Sequence, residues 1–463
     1  MSQPTLRIGL VSVVRPLFKG DATGAAERSL LGLRRLGGTH DFTVVAAPEL
    51  VTDAESAERM GRELAGRDLD FLLIQHATFA TGDLLVPLLG AAKRVGVWAL
   101  SESAGGRGAT GPLPLNALCG LNMTLSYLDH PKVNHTAPTK WFYGEVDSDW
   151  FVSRLEPTLT ALRGMKAIDG ARILQVGGTA PNFYGIEERP TLGSVTVETM
   201  ELAEVFERVA AVPEGEGRAR ATTWQQSETL TAPPEHLERT ARIELALRDI
   251  ARTGDYDAIA LRCWPEFPDA CEAMACGAVA SLGDHNIPTA CEGDVMGALS
   301  MLALQGLSQS PTLLMDLSDV DEATDSLLFW HCGNGPKAWA GEGGTRLTTH
   351  FNRDGTGVVR DMTLRPGRAT GFRLLDGGDQ AVVVSGEFGD AQRASFDGVR
   401  GWLSDMRWNG GEVGARAFVS NVLDYRLPHH LAFGMGELTE ATRELCGWLG
   451  AKVLEPRPER TTL

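Results

Sequence analysis

The chain has 463 residues, 43% of them hydrophobic and 22% charged, with 53 glycines. That is the composition expected of a soluble globular protein with two or three domains. The 60 acidic residues outnumber 43 basic ones, and the formal net charge of −17 argues against nucleic acid or an anionic membrane as partner.

Residues 1–14 lack the basic-then-apolar layout of a secretory signal. No apolar run approaches the ~20 residues that span a bilayer. The seven cysteines (Cys119, Cys263, Cys271, Cys276, Cys291, Cys332 and Cys446) form an odd set without CxxC spacing. They read as reduced, mostly buried thiols, and the cytoplasm is the expected location.

The first third alternates strand-like and helix-like segments. Residues 6–14, 42–47, 71–75 and 95–100 are short apolar runs, and residues 25–36 have helical character. This rhythm predicts a parallel sheet covered by helices. The first strand is followed by no GxGxxG, so a dinucleotide fingerprint is absent and a nicotinamide-dependent oxidoreductase is disfavoured. A second α/β unit is predicted from a strand at 172–176, helices at 195–209 and 235–252, and a strand at 258–262. The Gly/Glu-rich stretch 211–218 reads as an exposed connection. Beyond residue 308, segments at 347–351, 357–363, 369–375 and 380–386 are separated by Gly- and Asp-containing turns, and 438–449 is helical. The expected architecture is two doubly wound α/β domains, residues 1–168 and 169–308, followed by a mostly β, barrel-like C-terminal domain over 309–463.

Three places combine hard-metal ligands with strand ends or loops: Cys291-Glu292-Gly293-Asp294, Leu314-Met315-Asp316 and Pro428-His429-His430. His331 is a further candidate. Two carboxylates with one or two imidazoles suit Mn²⁺, Fe²⁺, Co²⁺ or Zn²⁺ and leave positions open for substrate oxygens. Each piece alone also fits a solvated loop, a helix cap or a core histidine. Glu266, after a strand, is read either as lining the same pocket or as a loop charge. His76, at a strand end, is read either as a sugar contact or as structural.

Around these residues the chain resembles the L-fucose and L-arabinose isomerase family. That family takes its metal carboxylates from an E-G-D or E-N-D element and from an acidic residue after a later apolar run. Glu292 and Asp316, 24 residues apart, match those positions. The arabinose branch adds a histidine segment and a C-terminal His-His pair, matched by Trp330-His331 and His429-His430. His76-Ala77-Thr78-Phe79 is similar to the family's H-T-F element, Leu121-Asn122-Met123 to its L-N-Q segment, and Pro366-Gly367-Arg368-Ala369-Thr370 to its P-G-x-V-T turn. The second acidic ligand is Asp, as in the fucose branch, while His331 follows the arabinose branch, and the chain is shorter than typical members. A distinct subgroup is the expectation, which leaves the sugar open.

The resemblance implies a metal-dependent aldose–ketose isomerase of a monosaccharide working through a cis-enediol. Glu292, Asp316 and His430 would hold a divalent ion, most readily Mn²⁺, with Glu292 and Asp316 also carrying protons. His331 would be a fourth ligand or a substrate donor, and His429 the fallback for His430. The loop containing Arg15 and Lys19 stands where arabinose-type members contact substrate in a neighbouring subunit, and its cations would suit an anionic sugar such as a sulfonated one. The family commonly forms hexamers. The alternative is a non-catalytic sugar-binding or regulatory protein of the same fold.

Overall fold

A computed structural model describes residues 5–102, 113–135, 137–353, 355–389, 393 and 396–458. The chain divides into two compact units, Met1–Leu162 and Arg163–Leu463.

The first unit holds a five-stranded sheet of β1 (Leu6–Val13), β2 (Phe42–Ala46), β3 (Phe71–His76), β4 (Val95–Ala99) and β5 (Thr139–Tyr143). All pairings are parallel, in the order β2-β1-β3-β4-β5. Parallel strands require crossovers, and helices Ala22–His40, Ala54–Ala65, Gly82–Leu89 and Ala117–Ser126 lie between them in sequence. Every side chain of β3 and β4 is buried. Continuous apolar runs such as FLLIQH and VGVWA therefore form central strands rather than alternating ones. Asp53 caps the second of those helices by accepting from Ser56 N at 2.8 Å.

The second unit opens with β6 (Arg172–Val176), β7 (Thr196–Met200), β8 (Thr229–Leu230), β9 (Ala258–Leu261) and β10 (Thr289–Ala290). Four of these make a parallel sheet in the order β10-β9-β6-β7. The rest of the unit is mostly β: β11 (Leu313–Asp321), β12 (Ser326–His331), β13 (Arg346–Thr349), β14 (Gly357–Thr363), β15 (Gly367–Leu375), β16 (Gln380–Phe388), β17 (Val399–Trp408), β18 (Gly411–Glu412), β19 (His430–Met435) and β20 (Lys452–Val453). Within it β16, β15, β19, β11, β12 and β17 pair antiparallel in turn, and β17 pairs again with β16, so six strands make a closed circuit of pairings. The interior holds Phe329, Phe388, Phe433 and Trp408, all at most 1% exposed.

Helix Val295–Ser308 joins the two sheets. Its sequence, VMGALSMLALQGLS, is apolar on every face, and nearly every residue is buried. Such a helix must be covered all round, and it touches β9 and β10 on one side and β15 and β19 on the other. The segment just before it thereby meets the ends of β11 and β19.

Two local readings are corrected. Residues 195–209, read as one helix, form β7 and then helix Leu202–Ala211, because the run Thr196-Val197-Glu198-Thr199 favours an extended backbone. Residues 211–218, read as a connection, enter helix Glu214–Gln225, which follows Pro213 and buries Ala221 and Trp224. Tertiary packing there overrides the two glycines. No helix among the described residues is long and apolar enough to cross a membrane.

Candidate active site

Thr289 and Ala290 run parallel to β9 and end in a tight turn, Cys291–Gly293. Glu292 sits in the left-handed region, φ 63° and ψ 13°, and Gly293 follows at φ 76°. A Cβ at Gly293 would lie 2.0 Å from Gly178 O, so glycine is required. The turn is clamped from β6 and its following loop: Ala180 N donates to Glu292 O at 2.8 Å, and Gln175 Nε2 to Gly293 O at 3.0 Å. A left-handed glutamate costs about 1 kcal/mol or more. These contacts hold it there.

Asp294, fully buried, caps helix Val295–Ser308 by accepting from Gly297 N at 2.8 Å. It also receives both ends of the Arg373 guanidinium, at 2.5 and 2.9 Å, and faces His430 Nδ1 at 2.9 Å. Burial alone would raise this carboxyl, but Arg373 and His430 outweigh it and hold it far below the usual carboxylate range. An ionised Asp294 accepts the Nδ1 proton of His430, which leaves Nε2 as a lone pair.

The third sheet supplies the facing groups. Asp316 on β11 stands opposite His430 on β19, a register that places the two side chains as cross-strand neighbours. His331 ends β12, and its ring stacks on His430 at 5.8 Å. His430 Nε2 is 3.7 Å from both Glu292 Oε2 and Asp316 Oδ1. Those separations are too long for hydrogen bonds, and His430 is shared by two sets of potential metal ligands, Glu292–His429–His430 and Asp316–His331–His430, each with its ligand atoms within 4.8 Å of one another. His430 Nε2, Asp316 Oδ1 and His331 Nε2 are buried and have no hydrogen-bond partner among the described residues. Buried polar atoms are rarely left so. An unpartnered carboxylate oxygen beside an imidazole lone pair, with Glu292 on the other side of His430, offers a donor set of the kind that fits a divalent cation.

His331 differs from His430 in one respect. Its Nδ1 accepts from Cys332 N at 2.9 Å, so in the neutral ring the proton sits on Nε2, pointing at the cluster. His429, 41% exposed at the side chain, meets Glu292 Oε2 at 3.0 Å. Burial pushes the Glu292 carboxyl up, but this bond and the neighbouring imidazoles prevail and set it below its ordinary value. Trp264 Nε1 donates to the other Glu292 oxygen at 3.4 Å, and Phe183 packs edge-on against Trp264 and beside His429, each at 5.5 Å.

Sequence reasoning thus selected Glu292, Asp316, His331, His429 and His430, and the fold gathers all five. Glu266, the first residue of its helix, is engaged by Arg262 just after β9, with Nε at 3.1 Å. His76 and Arg15 belong to the first unit. His76 is fully buried, hydrogen-bonds Thr124 Oγ1 at 3.0 Å, and is pushed down to about 4 by burial. Arg15 is paired with Asp83 at 2.8 Å. Three contributors were missed: Asp294 in its supporting role, Arg373 and Phe183. The signal for Arg373 was a charge between Phe372 and Leu374 in the buried half of the strand GRATGFRLL.

No protein-family model matches the chain. Sulfoquinovose isomerases of Priestia aryabhattai and Priestia megaterium are each 30% identical to it over 419 residues, spanning 87% of this chain and 89% of the relative. The sulfoquinovose isomerase of Alkalicoccus urumqiensis is 27% identical over 431 residues, spanning 88% and 90%. The chain belongs to the sulfoquinovose isomerase family. As a member of the sulfoquinovose isomerase family it is an enzyme, an aldose–ketose sugar isomerase, and the non-catalytic reading is set aside.

Proposed function

We propose that the chain interconverts sulfoquinovose and the corresponding 6-sulfonated 2-ketose, with Glu292, Asp316 and His430 holding a divalent cation, Mn²⁺ first among those the donors suit. The observation that carries this reading is the buried, unpartnered His430 Nε2 standing 3.7 Å from both Glu292 Oε2 and Asp316 Oδ1. When bound, the ion would polarise the sugar carbonyl and offset the negative charge that develops on its oxygens.

The chain's own residues then account for the proton movements. Aldose-to-ketose conversion removes a proton from C2 and returns one to C1. Glu292, held below its ordinary carboxylate range, is ionised at neutral pH and is the base. Asp316, across the cluster, is the partner that carries the proton at the other end. His331 Nε2–H donates to a substrate oxygen rather than ligating the ion, which follows from its acceptor bond at Nδ1. Asp294 and Arg373 keep His430 in the tautomer that offers Nε2. Phe183 and Trp264 form an apolar wall beside Glu292.

The same reading covers the finer architecture: a fucose and arabinose isomerase-like chain with domains at 1–168, 169–308 and 309–463, the last barrel-like. The six-strand circuit of pairings supports the barrel. A hexamer in the cytoplasm goes with it.

The test is solvent exchange. Sulfoquinovose incubated with the Mn²⁺-loaded protein in deuterated water should gain deuterium at C2 as the ketose forms, and Glu292→Gln should abolish both. Ketose formation that carries the C2 hydrogen intact to C1 in every turnover would remove the enediol route and the role of Glu292.

A further inference from the structure

An aldose–ketose isomerase of a sulfonated sugar must hold two ends of its substrate, the carbonyl end and a permanently charged sulfonate. The cluster described above serves the first. For the second, a cation is required whose charge is not already taken, one sugar length away.

Near the cluster within the second unit, the arginines are mostly engaged. Arg373 is paired with Asp294, and Arg262 with Glu266. Arg353 is different. It is half-buried in the loop between β13 and β14, and among the described residues no carboxylate pairs with it. Its guanidinium instead lies over the indole of Trp264, with Cζ 4.6 Å from the ring centroid. That same indole donates through Nε1 to Glu292 Oε1 at 3.4 Å. One aromatic ring therefore separates a free cation from the proposed base. An open-chain six-carbon sugar with C–C bonds of about 1.5 Å spans roughly 6–8 Å from its carbonyl to a substituent on its last carbon.

The placement also suits the chemistry. A guanidinium stacked on an indole is held in plane and loses little freedom on binding. Its exposed N–H edge then offers a fork of donors that fits the oxygens of a tetrahedral anion. In a chain with net charge −17, an arginine on the indole that bonds Glu292 also lowers the local repulsion an anionic substrate would meet.

We propose that Arg353, braced on Trp264, reads the sulfonate of the substrate and so sets the preference for an anionic sugar. This rests on the sulfoquinovose reading above. Arg15, by contrast, has Asp83 as its partner and is not assigned this role.

The experiment is steady-state kinetics on sulfoquinovose with the intact Mn²⁺-loaded protein, its Arg353→Gln and Arg353→Lys variants, and Arg15→Ala. Loss of the charge-assisted contact should raise KM for sulfoquinovose by roughly 10- to 100-fold while kcat stays within a few-fold, with the lysine variant in between. The glutamine variant should also lose KM discrimination between sulfoquinovose and 6-deoxyglucose tested as a competitive inhibitor. An unchanged KM in Arg353→Gln, a fall in kcat alone, or a KM effect confined to Arg15→Ala would overturn the assignment while leaving the isomerase reading intact. Failure of the unmodified protein to convert sulfoquinovose would overturn that reading and this one together.

Discussion

At the scale of single residues, the site is organised by a pair of imidazoles with opposite roles. His430 gives its Nδ1 proton to Asp294 and keeps a lone pair at Nε2, whereas His331 accepts at Nδ1 and presents a proton at Nε2. The difference comes from their partners, one a buried carboxylate and the other a backbone N–H. Asp294 is therefore more than a helix cap. Replacing it by Asn keeps an acceptor for His430 but leaves Arg373, 1% exposed at its side chain, as a buried charge without a counterion. Breaking such a pair costs about 3–5 kcal/mol. Asp294→Asn should therefore lower stability by that order in a denaturant titration and weaken Mn²⁺ binding roughly 10-fold or more. A variant with unchanged stability and affinity would contradict the positioning role.

At the scale of elements, two short pieces carry measurable consequences. One is the turn at Cys291–Gly293, whose left-handed Glu292 and Gly293 are locked against Gly178. Gly293→Ala should destabilise the protein by at least 1–3 kcal/mol and cut turnover, because the turn must open to admit a Cβ 2.0 Å from a carbonyl oxygen. Thermal melting and assay of that variant check this. The other is β3, which ends at His76. Burial holds that ring neutral, with its pKa at about 4 against 6.5 when exposed. Between those values the unfolded chain binds the extra proton, so stability should fall as the pH drops from 6.5 towards 4, by up to roughly 3 kcal/mol. Urea titrations across that window should show a slope that His76→Gln flattens. An equal slope in both proteins would assign the pH response to other groups.

These elements also mark what the sequence made legible. The long apolar strands could be read directly, whereas the Glu292, Asp316 and His429-His430 positions, each ambiguous alone, were singled out by the family resemblance. Helix Glu214–Gln225 could not be read, because its two glycines weaken the local preference and packing on helix Pro234–Gly254 settles it. The Asp294–Arg373 pair joins positions 79 apart in sequence, and only the fold brings them together. The link between the Trp264 indole and Glu292 emerges only once β9 and β10 are side by side.

At the scale of the whole molecule, helix Val295–Ser308 is the part that makes a site out of two sheets. One sheet supplies Glu292 and Asp294, and the other supplies Asp316, His331, Arg373 and His430. A ligand that bridges both sheets should stabilise their packing by mass action, by about 2.7 kcal/mol at a hundred times its Kd. Chelator-stripped protein should accordingly melt lower than protein with Mn²⁺, and Glu292→Gln should lose most of that difference. The most direct test of the central claim is the rate of ketose formation from sulfoquinovose in stripped protein titrated with Mn²⁺. The account predicts no turnover at zero metal and a rise that saturates at one ion per chain. Full turnover in excess chelator, with no metal bound by mass spectrometry, would contradict it.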